Sequence, residues 1–173
     1  MEGAYKSVKH LIQNGHKKIA CIQGIVGTSS NNQRINGYKK ALDEAGIPFD
    51  KNLVLGNDFG FENGYIQTQK VIRELKEVTA LFSTGNQITL GALKALAENG
   101  IAVPEDISIV SYDEQDYSEL LYTPLTTVSH LDSQKLGRIA LDLLFAADAE
   151  REQNTLLPVK LIKRKSVKKL KKT

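Results

Sequence analysis

The stretch TALFSTGNQITLGALKALAENGIAVPEDISIVSYDE, residues 79–114, decides the fold. It opens on ALFS (80–83), a short apolar run of strand length. TGN then opens a helix on which Ile88, Ala92, Leu93 and Leu96 recur at helical spacing. Asn99-Gly100 stops that helix, and Pro104 precedes a second apolar run, ISIVS (107–111). Strand, helix and strand over about 30 residues predict a βαβ unit with two parallel strands. Both strands are short apolar runs rather than strict alternations, as a sheet covered on both faces requires. The stretch ends on two carboxylates, Asp113 and Glu114. Charged side chains are seldom fully buried without a partner. The pair therefore reads as chemistry, ligand recognition or a polar turn.

The same alternation extends outward. A helix over 4–13 aligns Ala4, Val8, Leu11 and Ile12 and stops at Gly15; KIACI (18–22) is a strand ending in Gly24. The loop GIVGTSSNN leads to a helix with Ile35, Tyr38, Leu42 and Ala45 on one face, closed by Gly46 and Pro48. NLVL (52–55) reads as a strand, GNDFGFEN as a loop, and about 62–77 as a helix carrying Tyr65, Ile72 and Leu75. Strand and helix alternate repeatedly, which predicts an α/β fold built on a doubly wound parallel sheet. The last third differs. PLTTVSH (124–130) is extended, and LLPVKLI (156–162) is a final extended segment. Between them, 133–147 is an amphipathic helix with Leu136, Ile139, Ala140, Leu143 and Leu144 on one face and Asp132 or Ser133 as its cap. No further βα unit accompanies it.

A chain of 173 residues is about one domain, and 41% hydrophobic with 25% charged residues is an ordinary soluble composition. No apolar run approaches the roughly 20 residues that span a bilayer. The start MEGAYKSVKH has no apolar signal core, so a cytoplasmic location is expected. The single cysteine, Cys21, reads as core filler and excludes a disulfide framework or a four-cysteine metal site. The net charge of +3 is uneven: residues 160–173 hold eight basic groups and no acids, leaving 3 − 8 = −5 for the rest. The tail KRKSVKKLKK is expected to be a solvated, partly disordered end rather than a contact for nucleic acid or anionic lipid, since it has no aromatic residue to stack on bases. The acidic remainder offers no electrostatic footprint for DNA. His10 and His16 are expected on the surface.

Ligands of an open parallel sheet bind beyond the carboxyl ends of its strands. Five loops reach that edge, with Ser29, Ser30 and Arg34; Asn57, Asp58 and Phe59; Thr84 and Asn86; Tyr112, Asp113 and Glu114; and His130. Arg, Asp, Asn and an aromatic suit a polyol or a nucleobase, since the charged groups fork hydroxyls or ring nitrogens and the aromatic covers a ring face. The glycine-rich nucleotide loops, the zinc-protease motif and the nucleophile elbow are all absent. Asp58 and Asp113 follow strands as a phosphoacceptor would, but the acid cluster that holds Mg²⁺ is missing. The expectation is no enzyme, no metal and no cofactor. Plainer readings stand beside each residue: Arg34 on a helix surface, Phe59 as a plug under its own loop, Asn86 as an N-cap, and His130 as an exposed hinge residue.

Several stretches together resemble the effector domain of the lactose/galactose repressor family. They are HLIQNGHKKIACIQG, RINGYKKALDEAGI, the block from Thr79 to Glu114, TPLTTVSH and LPVKLIKRKS, in the family's order and spacing over nearly the whole chain. The resemblance implies a two-lobed, periplasmic-binding-protein-like fold with a small molecule, commonly a sugar, in its cleft. It implies Arg34 as the effector-binding arginine, Ser30 as a nearby hydroxyl, Phe59 as the stacking aromatic, and Asp113 as the acid that accepts ligand hydroxyls. Glu114 would face solvent or a lobe interface, and His130 would reach the cleft from a crossover. Where the family has Asn-Asp or Thr-Asp, this chain has Gly85-Asn86. Family members begin with a helix-turn-helix headpiece, a hinge and a first lobe. The expected division is therefore 1–129 as the C-terminal lobe, 130–157 as a crossover and helix belonging to the first lobe, and 158–173 as a returning strand and basic tail. Weak effector binding and a homodimer formed through the 133–147 helix are expected. A sugar-binding receptor of the same fold would need a signal or anchor, and a doubly wound enzyme would need a nucleotide loop or an acid cluster.

Overall fold

The computed structural model describes residues 1–129, 133–145 and 157–170. The elements are α1 (Glu2–Gln13), β1 (Ile19–Ile22), α2 (Ser29–Glu44), β2 (Val54–Leu55), α3 (Phe61–Glu74), β3 (Ala80–Ser83) and α4 (Asn86–Glu98). There follow β4 (Ser108–Tyr112), the short α5 (Tyr117–Leu120), β5 (Thr126–Ser129), α6 (Ser133–Phe145) and β6 (Lys160–Ile162). One sheet runs in the order β2-β1-β3-β4-β5-β6. The first five strands are parallel, and β6 pairs antiparallel to β5 at the edge. The expected α/β class holds. The strand order reverses between β1 and β3, the crevice where such sheets take ligands.

Alternate side chains of each strand build two cores, because the pleat points successive residues to opposite faces. Ile19, Cys21, Ala80, Phe82, Val110 and Tyr112 face α1 and α2. Ala20, Ile22, Leu81 and Ile109 face α3 and α4, against Val71, Ile88, Ala92 and Leu96. Cys21 is fully buried among these apolar groups, as expected, and burial raises its thiol pKa far above the usual range.

Four expectations change. NLVL is only half a strand: Lys51–Leu53 is a 3-10 turn, because the Asp50 carboxylate accepts a hydrogen bond from the Asn52 amide at 2.8 Å and closes a tight turn. The third helix stops at Glu74, and Leu75 to Val78 turn so that the Thr79 amide can donate to the Lys18 carbonyl at 3.0 Å and enter the sheet.

The basic segment 163–170 is not a solvated end. Ser166 is fully buried: its hydroxyl donates to the Ile109 carbonyl at 2.6 Å and accepts from the Thr126 amide at 2.8 Å, and its carbonyl accepts from the Ile109 amide at 2.8 Å. The Leu170 amide donates to the Asn14 carbonyl at 2.8 Å. Lys163, Lys165 and Lys169 stay exposed while the backbone beneath them docks, which lysine density in the sequence disguises.

His16 is buried rather than on the surface. Its Nε2 lies 3.1 Å from the Lys168 carbonyl, which can only accept, so Nε2 carries the proton and Nδ1 takes the Thr79 hydroxyl at 2.9 Å. Burial lowers the His16 pKa, against the Lys168 carbonyl and with the nearby Lys168 charge. A group whose folded pKa is depressed contributes stability above its unfolded value and loses it as pH falls. Stability is therefore expected to drop between about pH 7.5 and about pH 5.5, around the ordinary imidazole value of about 6.5. His10, half-buried near Lys163, shifts the same way, so the His16→Gln variant isolates the larger burial. In urea denaturation at the two pH values the variant should lose most of the slope; an unchanged slope would remove His16 from the account.

Candidate functional site

The carboxyl ends of β1 to β4 converge on Arg34, in the second turn of α2. Arg34 donates from Nη1 to the Thr84 carbonyl at the end of β3. Its guanidinium carbon lies 4.1 Å from the centre of the Tyr112 ring and 5.5 Å from that of Phe59. Arginine's planar, weakly hydrated head suits such stacking. The Nη2 atom is 3.9 Å from Asp113 Oδ2, with the two side chains 17% and 31% exposed. That separation is an ion pair without a tight hydrogen bond between the two groups. Burial raises the Tyr112 pKa, Asp113 adds to the effect and Arg34 opposes it, so the phenol stays neutral.

Two glycines make room for Phe59. A Cβ on Gly24 would sit 2.1 Å from its ring, and one on Gly85 would touch it at 3.5 Å. The loops around it are tied together by side-chain amides. Asn31, buried in α2, accepts from the Gly24 amide at 3.0 Å; Asn57 accepts from the Val26 amide at 2.7 Å; and Asn63 donates to the Gln23 carbonyl at 3.0 Å. Asp58 bonds the Gly60 amide at 2.6 Å, which makes it a turn residue. Thr84 holds the Ile22 carbonyl through both its amide and its hydroxyl, at 3.1 and 3.0 Å.

Asp113 has φ +73°, a left-handed conformation that aspartate tolerates better than most residues. That turn splits the acidic pair. Glu114 leaves the site and accepts both guanidinium branches of Arg164, at 3.0 and 2.7 Å, together with the Thr127 hydroxyl. Burial disfavours the charged form, but the Arg164 and Thr127 hydrogen bonds and the Arg164 charge outweigh it and hold the carboxyl below its usual range. Glu114 therefore anchors the closing segment rather than standing free in solvent. Asn86 is the first residue of α4 rather than its cap, which is Gly85. Its Oδ1 takes the Gln87 amide at 2.7 Å, leaving its Nδ2 without a partner among the described residues.

Of the sequence candidates, the structure brings Arg34, Phe59 and Asp113 together. Ser30 is exposed one turn before Arg34 on the same helix face, and Asn86 opens the next helix along the edge. His130 lies outside the described residues. The aromatic partner of Arg34, Tyr112, and the carbonyl of Thr84 were legible only as loop members. Gly24 was read only as the end of its strand and Asn31 only as a loop residue. Their one signal was a Gly and an Asn in the loop after a short strand.

Residues 8–167 match the periplasmic binding protein-like domain family. The chain is 35% identical over 172 residues to the HTH-type transcriptional repressor PurR of Vibrio atlanticus, covering 98% of this chain and 51% of that protein. Against the PurR of Actinobacillus pleuropneumoniae it is 39% identical over 143 residues, covering 83% and 42%. The lac repressor dimer bound to operator and the anti-inducer ONPF superposes with a TM-score of 0.84 at 34% identity, over 96% of this chain and 58% of that one. The chain belongs to the lactose/galactose repressor branch of this family. An Enterococcus faecium regulator of that branch, solved with bound ribose, gives a TM-score of 0.84 at 32% identity over 98% and 64%. This member spans about half the length of the curated relatives it matches.

In this branch member, no group of three His, Cys, Asp or Glu that could hold a metal occurs among the described residues, and none of their helices is long and apolar enough to cross a membrane. Two concavities among the described residues lie away from the strand edge. One of about 600 Å³ sits near Asn14, Lys17, Glu77 and Leu170. A groove of about 710 Å³ runs between the end of α4 and the segment before β5. At the strand edge, Arg34 and Asp113 form a polar shelf over Tyr112 and Phe59.

Proposed function

We propose that this chain is the effector-sensing lobe of a cytoplasmic transcriptional regulator, with the Arg34 shelf as one wall of a cleft for a small polar ring compound. The observation that carries the reading is Arg34 set over Tyr112 and Phe59 and 3.9 Å from Asp113. Such a set offers a cation, a carboxylate and an apolar ring face to one ligand. A sugar is the first reading: its hydroxyls donate to Asp113 and accept from Arg34 and from the Asn86 amide, and its C–H face lies on Phe59. His130 would reach the cleft from the crossover. A nucleobase is the second reading, favoured by the flat aromatic surface and by the relatives named PurR.

In this reading residues 1–129 form the lobe, 130–157 cross to a second lobe, and 158–173 return to close the first. Ligand binding closes the lobes, and the closed state differs in its affinity for DNA. Operator contact belongs to a headpiece and not to this lobe. One wall alone gives weak binding, so the test is an NMR titration of the chain with millimolar ribose and, separately, adenine. Shift changes at Arg34, Phe59, Asn86 and Asp113 with either compound support the reading. Silence at those residues with both overturns it.

The lobe also self-associates in this reading, and the partner is a second copy. The groove at the end of α4 is lined by Leu93, Leu96, Ile101, Val103 and Leu121, beside Leu120 at 78% exposure and a fully exposed Tyr122. Two similar solved structures are described as lac repressor dimers. The apolar face of α6, expected to be the dimer surface, is a second bare patch: Leu136, Leu143 and Leu144 are 39–73% exposed. Light scattering at micromolar concentration should give a dimer that Leu120→Asp with Tyr122→Asp dissociates. Dissociation only by Leu144→Asp would move the interface to α6, and a monomeric wild type would end the proposal.

A further inference from the structure

Asp113, the acid of the shelf, stands at φ +73°. A left-handed residue other than glycine costs conformational energy and persists where its surroundings fix it. The contact with Arg34, at 3.9 Å, is an attraction between side-chain charges rather than a hold on that backbone angle. The residue one peptide further on is gripped more firmly.

The two carboxylate oxygens of Glu114 take Arg164 Nη1 at 3.0 Å and Nη2 at 2.7 Å, and the Thr127 hydroxyl also donates to this carboxylate. A guanidinium fork on a carboxylate fixes orientation as well as distance. Arg164 is itself fixed to β5. Its Nη1 also donates to the Leu125 carbonyl at 2.8 Å, and its backbone amide donates to the Thr126 hydroxyl at 2.9 Å. Leu125, Thr126 and Thr127 are buried. The side chains of Arg164 and Glu114 are only 15% and 24% exposed, so water screens this pair less than it screens a surface pair. The fork therefore ties the loop after β4 to a rigid part of the sheet.

A carboxylate that has to meet this fork limits where the Cα of Glu114 can lie. The backbone angles of Asp113 set that position. With Asp113 at an ordinary negative φ the chain would leave the shelf in another direction and carry Glu114 away from Arg164. We propose that Arg164 is a positioning residue for the shelf: by holding Glu114 to β5 it keeps the Asp113 turn left-handed, with the Asp113 carboxylate beside Arg34. Asp113 has interactions of its own, and Arg164 acts beside them. The acid of the shelf thus depends on a side chain 50 positions beyond Glu114, on the closing segment. The importance of that acid for a ligand rests on the effector reading above; the hold on the turn does not.

The test reads the sign of φ at Asp113 by NMR in the labelled, ligand-free chain. At positive φ the amide proton and the Hα of one residue lie close, and their cross-relaxation peak is strong. Arg164→Met keeps the apolar stem and removes the fork. Glu114→Ala removes the carboxylate and leaves Arg164 its bonds to Leu125 and Thr126. In both variants the Asp113 peak should fall towards that of its strand neighbours. The contacts between Val128 and Leu161, paired across β5 and β6, should persist. A merely structural role for Arg164 predicts the reverse, with the strand contacts weakened and the Asp113 peak unmoved. A folded variant of either kind with the full Asp113 peak overturns the proposal, and Glu114→Ala decides the matter if Arg164→Met fails to fold. The compound that shifts the wild-type resonances, ribose or adenine, should bind Arg164→Met about tenfold more weakly, as a misplaced contact group requires. If both compounds fail to bind the wild type, the effector reading fails while the Asp113 peak still decides the role of Arg164.

Discussion

Replacing Gly91 by alanine is expected to destabilise the lobe by about 3 kcal/mol or more, the range of severe overpacking. Helices α3 and α4 meet backbone to backbone. A Cβ on Gly91 would stand 2.0 Å from the Phe61 carbonyl oxygen and 2.6 Å from the Tyr65 nitrogen. On the facing helix, a Cβ on Gly64 would stand 2.0 Å from the Ile88 carbonyl oxygen. No side chain can rotate away from such a contact; the helices themselves must separate, and Ile88 and Val71 would lose their packing. Alanine ordinarily favours a helix over glycine by about 1 kcal/mol, so the sign here is set by the contact and not by propensity. Gly137 in α6 meets nothing within 4 Å and is the control: its alanine variant should be neutral or up to about 1 kcal/mol more stable. Urea denaturation of both variants checks the pair. A Gly91→Ala protein as stable as wild type would mean that α3 and α4 do not approach as described.

The second large effect is on binding. Arg34→Ala should weaken the compound that shifts the wild-type resonances, ribose or adenine, by about 100-fold, the equivalent of a lost charge-assisted contact of about 2–3 kcal/mol. Millimolar ligand would then leave the Asp113 and Phe59 signals unmoved. The mechanism is specific. The guanidinium bonds the Thr84 carbonyl, lies over Tyr112, and stands where a ligand oxygen can bridge it to Asp113. Arg34→Lys should recover only part of the affinity, because an ammonium cannot fork to two acceptors while lying flat on a ring. An alanine variant that folds and binds as wild type would remove Arg34 from the site.

The sheet was readable because its strands are short apolar runs punctuated by glycine, and the alternation placed four parallel strands before any contact was known; the fifth, β5, was readable only as an extended segment. The direction of β6 was not readable, since LLPVKLI looks the same run either way. Arg34, Phe59 and Asp113 were recoverable because topology alone places the ends of β1, β2 and β4 on one edge. What separates Asp113 from Glu114 is a single backbone angle and a distant arginine, Arg164, and neither leaves a local trace. His16 and Ser166 were misread for a related reason. Each looks like a surface residue among lysines, and each is buried by a partner more than fifty positions away, Lys168 in one case and Ile109 in the other. The glycines at 64 and 91 gave no warning, because a glycine in a helix pattern is silent about the backbone that faces it.

The way Ser166 stitches β4 to β5 also fixes an order of events during synthesis. The Ile109 amide and carbonyl and the Thr126 amide find these partners in a residue made 40 and 57 positions later. Until residue 166 leaves the ribosome, the middle of the sheet holds buried polar groups without these bonds, a state that favours an open, chaperone-accessible nascent chain. The segment after β6 is thus the latch between β4 and β5, and the middle of the sheet closes late.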